Sequence, residues 1–210
     1  MLITRRDMTM GAGAALLLPA CSTFAEPGAQ ARADLYNCEG CEAALERPAA
    51  SLTSRLMLAS RAEPGERMLL TGRVVLRDSH MPALGVVVYA HQTNAAGRYA
   101  GGLGGNLWSR RHGRLRGWVK TDADGRYAFD TIKPAPYPDR TMPAHVHLYI
   151  AEPGRRPYYV DDVVFAGEFG VTPAYRVRQE LRGGSGIVAC VRSGGVWRVR
   201  RDIMLESHPG

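Results

Sequence analysis

The chain has 210 residues, of which 45% are hydrophobic and 22% charged, and its formal net charge is +7. This balance is typical of a soluble globular protein with one domain and a tail, and it excludes a disordered chain and a multi-span membrane protein. The basic residues are almost all arginines, spread from Arg32 to Arg201. Because they are not gathered on one helix, they favour a solvated surface over nucleic-acid binding.

The first 31 residues predict an export signal. Arg5-Arg6 precedes an uncharged run from Met8 to Cys21, which is shorter than the roughly 20 residues that span a bilayer. This order is typical of twin-arginine export. Leu18 to Cys21 resembles a lipobox, which would anchor the protein through a lipid on Cys21, whereas Ala29-Gln30-Ala31 would release it. We expect a periplasmic protein or one anchored at the cell envelope.

Three cysteines follow this signal, at Cys38, Cys41 and Cys190. An exported protein meets an oxidising compartment, which permits disulfides. Cys38 and Cys41 can close a small loop, or one of them can bridge to Cys190. A zinc site would need a further ligand nearby, and the sequence has no second CxxC.

Residues 32–67 are a polar lead-in, in which 51–60 predict a short helix. From 68 to 210 the chain is a series of short β-rich runs separated by turns, without a long amphipathic helix. This pattern predicts an all-β fold, a β-sandwich with long loops and little helix. The predicted strands are 68–76, 85–91, 116–121, 126–129, 145–150, 159–165, 186–192 and 196–205.

The segment 101–117 departs from this pattern, because it is rich in glycine and then in arginine. A long irregular loop in a compact domain is usually functional or disordered. Trp108 and Trp118 flank its basic part and can cover a site or anchor the loop. His91 and His112 have no partner at a recognisable spacing, so we interpret them as structural or exposed.

The strongest chemical signal is His145-Val146-His147. Positions i and i+2 of a strand face the same side, about 6.6 Å apart, so both imidazoles can reach one metal ion. Tyr137 lies between two prolines, which keep the chain extended, and Tyr99 follows a predicted strand. Two phenolate oxygens with two imidazole nitrogens would form a ligand set that suits ferric iron.

The motifs resemble those of the intradiol ring-cleavage dioxygenases, which include the catechol 1,2-dioxygenases and protocatechuate 3,4-dioxygenases. The resemblance covers about residues 68–170, with the motifs in family order. Its residues are Gly97-Arg98-Tyr99, the hairpin 121–129, Thr131-Ile132-Lys133-Pro134-Ala135-Pro136-Tyr137-Pro138 and Pro143-Ala144-His145-Val146-His147.

The resemblance implies a prealbumin-like β-sandwich that holds a non-haem Fe(III) through Tyr99, Tyr137, His145 and His147. In the family, the tyrosinate at the position of Tyr99 stays bound, and the one at Tyr137 leaves the metal when the substrate chelates. Such enzymes open a catechol between its hydroxyl-bearing carbons and insert both atoms of O2, giving a muconate-type diacid. The expected partners are therefore a catechol-type molecule and O2, with no nucleic acid. Whether the protein forms a homo-oligomer is left undecided by the sequence.

Two positions depart from the family pattern. Met142 stands where members commonly have an arginine, and Arg140, two residues earlier, is a candidate replacement that would assist catalysis. Asp162 stands where a glutamine is expected. These changes keep two alternatives open. One is a non-catalytic prealbumin-like binding module, and the other is an iron-binding relative that does not cleave catechols.

Overall fold

A computed structural model describes residues 31–101 and 105–209 of the chain. The export signal predicted for residues 1–31, with Cys21, therefore lies outside the described residues except for its last position. Within the described ranges, no helix has the length and apolar character needed to cross a membrane.

The regular secondary structure of the described residues is mostly β-strand with little helix, as the sequence predicts. Two short α-helices are present, α1 over Leu107–His112 and α2 over Pro173–Val177, and two 3-10 helices over Cys41–Leu45 and Ala49–Ser51. The strands are β1 (Arg55–Met57), β2 (Arg67–Val75), β3 (Val87–Gln92), β4 (Arg116–Lys120), β5 (Arg126–Ile132), β6 (His145–Ala151), β7 (Tyr158–Phe165), β8 (Ile187–Val188), β9 (Cys190–Ser193), β10 (Val196–Arg200) and β11 (Ile203–Met204).

The strands form two sheets. The first has the order β1-β5-β2-β10-β9, with β11 paired to β2, and the second has the order β4-β3-β6-β7-β8. Buried side chains from both sheets form one hydrophobic core, with Leu70 and Phe129 from the first sheet and Val88 and Leu148 from the second. The architecture is the predicted β-sandwich.

The second sheet has a buried outer face as well. In β6 the core-facing residues are Val146, Leu148 and Ile150, so the alternate residues point away from the sandwich core. A smaller cluster covers this outer face, and it includes Cys41, Ala43, Tyr89 and Tyr149. The segment before β1 therefore packs on the outer face of the sheet that carries the His-x-His pair.

Two expectations about local structure are wrong. No helix spans 51–60: β1 lies there instead and pairs in parallel with β5, and Arg55 makes two hydrogen bonds to the carboxylate of Asp130. The segment 101–117 is not wholly irregular, because it contains α1. The side chain of Asn106 caps this helix by accepting a hydrogen bond from the backbone N–H of Ser109 at 2.9 Å.

The structure joins Cys38 to Cys41, with 5.7 Å between their Cα atoms. Among the cysteines that the structure describes, Cys190 is unpaired. Of the two pairings that the sequence left open, the short loop is therefore the one present.

Candidate metal centre

The four side chains proposed as metal ligands converge at one end of the outer face of the second sheet. The hydroxyl groups of Tyr99 and Tyr137 lie 2.8 Å apart, and the Nε2 atoms of His145 and His147 lie 3.0 Å apart. The Tyr99 oxygen is 2.9 Å from Nε2 of His147, and the Tyr137 oxygen is 3.2 Å from Nε2 of His145. Four potential metal-binding atoms thus surround one point.

Both imidazoles are oriented through their other nitrogen. Nδ1 of His145 donates to the carbonyl of Pro143 at 2.8 Å, and Nδ1 of His147 donates to a carboxylate oxygen of Asp162 at 2.9 Å. With their protons on Nδ1, the rings direct two Nε2 lone pairs toward each other, and neither nitrogen can donate to the other. A cation between them removes this repulsion, so the arrangement fits a metal ion.

The two tyrosines come from loops that pack backbone against backbone. Asn94 folds the first loop, because its side-chain oxygen accepts hydrogen bonds from two backbone N–H groups before Tyr99. Gly97 has a φ of 71°, and a Cβ added there would lie 2.0 Å from the carbonyl oxygen of Pro136. This close approach at Gly97 sets the Tyr99 loop against the segment that carries Tyr137.

A β-bulge in β7 lies beside the second histidine. Between two paired positions, β7 carries Asp161 and Asp162 where β6 carries only His147. The carboxylate of Asp161 accepts hydrogen bonds from the backbone N–H groups of Leu181 and Arg182. Continuing the register of His145 with Val164 and Val146 with Val163 sets Asp162 opposite His147, and the extra residue lies between this pair and the resumed pairing of Leu148 with Val160.

The protonation tendencies of these groups follow from their surroundings. Burial raises the pKa of Tyr99 and of Tyr137. Burial lowers the pKa of His145, which therefore stays neutral at pH 7 and keeps a nitrogen lone pair for a metal. For Asp162, burial acts to raise the pKa, but the neighbouring His147 outweighs it and the pKa falls. The centre thus combines the carboxylate of Asp162 with the uncharged imidazole of His145.

The donor set fits the cofactor that the family resemblance implies. Tyr99 and Tyr137 offer hard oxygen atoms that become anionic on metal binding, and His145 and His147 offer neutral nitrogens. Anionic oxygen ligands stabilise a trivalent ion over a divalent one, so this set favours ferric iron.

A cavity of about 280 Å³ faces the ligands, with Tyr99, Tyr137 and His147 in its wall. An engineered cavity of about 150 Å³ takes up benzene, so this one has room for one aromatic ring with a modest substituent. Its other walls are formed by Glu39, His91, Trp108, Arg111, His112 and Tyr149.

A second cavity, of about 360 Å³, adjoins the first and shares Glu39, His147 and Tyr149 with it. The second cavity continues between β7 and the segment around α2, where it is lined by Tyr159 and Tyr175.

Arg140, proposed from the sequence as a catalytic group, lies elsewhere. Its guanidinium carbon stacks 3.9 Å from the ring centre of Phe169, and it borders a third cavity together with Met142. The structure therefore does not bring Arg140 into the cavity that faces the ligands.

His91 and His112, which the sequence left as structural or exposed, are not exposed, and they lie beside the candidate ligands. Both are buried, their rings stack at 3.9 Å, and His91 also stacks 4.4 Å from His147. Within residues 31–101 and 105–209, Nδ1 of His91 finds no hydrogen-bond partner. The alternation of β3 could have revealed His91, because it points to the same face as Tyr89, opposite the core residues Val88 and Ala90.

Comparisons with known proteins indicate the family of the chain. A sequence model of the Dioxygenase family matches residues 43–181. Catechol 1,2-dioxygenase 2 of Acinetobacter lwoffii is 28% identical in a match that covers 54% of this chain and 50% of that protein. The protocatechuate 3,4-dioxygenase beta chain of Burkholderia cepacia is 39% identical in a match that covers 40% of this chain and 38% of that one. The chain thus spans half or less of these curated relatives.

Solved structures show the same fold. The dioxygenase domain of a dioxygenase carbohydrate-binding protein fusion from Streptomyces sp. SirexAA-E has a TM-score of 0.57 at 23% identity, covering 74% of this chain and 88% of that one. An intradiol ring-cleavage dioxygenase from Tetranychus urticae has a TM-score of 0.53 at 17% identity, covering 74% and 86%. With a family match over more than half of its residues, the chain belongs to the intradiol ring-cleavage dioxygenase family.

Proposed function

We propose that the protein is a non-haem Fe(III) intradiol dioxygenase, which opens a catecholic ring with O2 to a muconate-type diacid. The observation that carries this proposal is the convergence of Tyr99, Tyr137, His145 and His147 on one point, in the wall of a cavity the size of a single ring. The names of the curated relatives support a catechol-type substrate.

The residues divide the chemical work. Ferric iron, when bound, supplies a Lewis acid that favours the catechol dianion. The hydroxyl oxygen of Tyr137 contacts both Tyr99 and His145 and borders the cavity, so it can take a proton from a substrate hydroxyl. Because burial raises the pKa of Tyr137, its phenolate is a stronger base than an exposed one.

The walls of the cavity orient the ring. Trp108, His112 and Tyr149 offer aromatic faces around the space before the ligands, and His112 and Tyr149 are buried. Such walls hold a planar ring in one orientation and exclude water from it. The hydroxyl-bearing edge of a catechol would then face the metal-binding atoms, because these lie on the opposite side of the same cavity.

The decisive experiment is the visible absorption spectrum of the purified protein before and after addition of catechol, with iron counted on the same sample. We expect a broad tyrosinate-to-Fe(III) band that shifts with catechol, followed by uptake of O2 and release of a diacid. Protein that cannot be loaded with iron would contradict the proposal and favour a binding module. An iron band without ring cleavage of any catechol would contradict the enzymatic part and favour the non-catalytic iron protein.

We also propose export by the twin-arginine route, which the pattern around Arg5-Arg6 supports. The test is the location of the full chain in cell fractions, compared with a variant in which Arg5 and Arg6 are both lysine. Retention of the variant in the cytoplasm, with the parent in the envelope or periplasm, is the expected result. An identical distribution would contradict it. Globomycin treatment would separate lipid anchoring at Cys21 from release.

A further inference from the structure

The loop that Cys38 and Cys41 close lies directly against the candidate substrate cavity. Gly40, between them, has a φ of 88°, and a Cβ added there would lie 3.0 Å from Cε1 of His112 and 3.4 Å from the hydroxyl of Tyr149. The Tyr149 hydroxyl also donates to the carbonyl of Glu39 at 3.5 Å. The backbone of the loop therefore rests on two side chains that form the cavity wall.

The loop also brings a charge to the place where the two cavities meet. Glu39 borders both the cavity that faces the ligands and the adjoining one. Its carboxylate pairs with Arg111, whose guanidinium carbon lies 5.6 Å from the ring centre of Trp108. Both charged side chains are largely exposed, at 70% for Glu39 and 49% for Arg111. An ion pair so exposed contributes little by itself to holding the loop.

The loop is held from behind by covalent and apolar contacts. Cys41 is buried, and the 3-10 helix that follows packs Ala43 and Ala44 into the small core on the outer face of the second sheet. The indole N–H of Trp118 donates to the carbonyl of Ala43 at 2.7 Å. The disulfide closes this loop and restricts how far the backbone of Glu39 and Gly40 can move away from His112.

We propose that the Cys38–Cys41 loop is the substrate-specificity element of this site, with Glu39 as its specificity-determining residue. The loop sets the width of the cavity before the ligands, and Glu39 obstructs passage from it into the second cavity. The wild-type site therefore takes small catechols and discriminates against rings whose substituent must extend past Glu39. That the molecule in the cavity is a substrate rests on the function proposed above. That the loop forms a wall of the cavity rests on the contacts of Glu39 and Gly40.

The first test is Glu39→Ala, which joins the two cavities without touching the disulfide. We expect the ratio of kcat/KM for 4-tert-butylcatechol to that for catechol to rise about tenfold, with an unchanged iron content and visible band. Glu42→Ala is the matched control, because Glu42 is an exposed glutamate of the same segment and borders neither cavity. An unchanged ratio in Glu39→Ala, or an equal rise in the control, would overturn the proposal.

The second test is the double variant Cys38→Ser with Cys41→Ser. Without the bridge the loop must be ordered when the substrate binds, so KM for catechol should rise about tenfold while kcat and the visible band stay close to wild type. Cys190→Ser is the control, because this cysteine is unpaired within the part of the chain that the structure describes. An unaltered KM would contradict the proposal. If the double variant does not fold, Glu39→Ala remains decisive, since it keeps the disulfide.

Binding without turnover separates this proposal from the function proposed above. 4-Nitrocatechol absorbs visible light, so its dissociation constant can be measured whether or not the ring is cleaved. We expect Glu39→Ala to bind it more tightly than wild type and Glu42→Ala to bind it as wild type does. A protein that cleaves no catechol but shows this difference would refute the enzymatic function and retain the specificity loop. Equal affinities in all three proteins would refute the loop alone.

Discussion

Nδ1 of His147 lies 2.9 Å from a carboxylate oxygen of Asp162, and Nε2 of the same ring lies 2.9 Å from the hydroxyl of Tyr99. One imidazole thus connects a carboxylate on β7 with the point where the candidate metal ligands meet. A carboxylate that accepts the Nδ1 proton fixes the tautomer and makes Nε2 a better donor to a metal. Asp162 is therefore a positioning residue for His147.

Replacing this carboxylate should weaken iron binding. Asp162→Asn keeps the size of the side chain but removes its charge, so we expect the dissociation constant for iron to rise roughly 10- to 100-fold. Competition with a chromogenic chelator measures this change. Asp78→Asn is the control, because Asp78 is exposed and distant in sequence from the site. An iron affinity equal to that of wild type would show that Asp162 does not position His147.

Removing the hydroxyl of Tyr137 tests the proton acceptor. In Tyr137→Phe the ring stays and the oxygen is lost, so the visible band should change, and kcat should fall by roughly 10²- to 10⁴-fold. Spectra and steady-state rates at equal iron occupancy measure both effects. Tyr175→Phe is the control, since Tyr175 lines the second cavity and is not one of the four donors. A rate near that of wild type in Tyr137→Phe would assign the proton to another group.

Gly97→Ala should separate the two tyrosine loops. The added Cβ would lie 2.0 Å from the carbonyl oxygen of Pro136, at a φ of 71°. We expect the free energy of unfolding to fall by about 2 kcal/mol or more, together with a loss of iron binding. Chemical denaturation measures the first effect and an iron count the second.

Gly154→Ala is the matched control for Gly97→Ala. Gly154 has a φ of 70°, but a Cβ there would meet no atom within 4 Å, so only the backbone strain of about 1–2 kcal/mol applies. The difference between the two variants isolates the contact with Pro136. Equal destabilisation and equal iron contents would show that the loops are not held together at this point.

The stability of the metal-free protein should decrease in mild acid because of His112. Burial is the main cause that lowers the pKa of His112 to about 4, and the nearby His147 and Arg116 add to it. An unfolded histidine has a pKa near 6.5. Between pH 6.5 and pH 4 the unfolded chain therefore binds a proton that the folded chain does not. The free energy of unfolding therefore decreases as the pH is lowered through this range.

The expected loss over this range is about 1–3 kcal/mol from His112 alone. The buried His91, whose pKa burial also lowers, acts in the same direction. Urea titrations at several pH values measure the slope. His112→Gln should show a shallower decrease than the parent protein below pH 6.5, because glutamine does not titrate. Parallel curves for the two proteins would contradict this assignment.

Local sequence determined a large part of the fold and half of the candidate centre. Alternation of apolar and polar residues locates most strands, because a strand with one face in a core requires it. The same alternation puts His145 and His147 on one face without any knowledge of the fold. The prediction of a helix at 51–60 is wrong, because pairing of β1 with β5 outweighs a weak local preference for helix.

Only the tertiary structure decided which distant groups meet. Tyr99 and Tyr137 are separated by 38 residues and touch because Gly97 lets their loops approach. Asp162 reaches His147 because β6 and β7 pair in the register that sets them opposite each other, and this register depends on both strands and not on either strand alone. The contact of the Cys38–Cys41 loop with His112 likewise arises from packing on the outer sheet face. The periodicity of apolar and polar residues in the sequence indicates which face of a strand each side chain lies on. Contacts between distant segments depend on how sheets and loops pack in three dimensions.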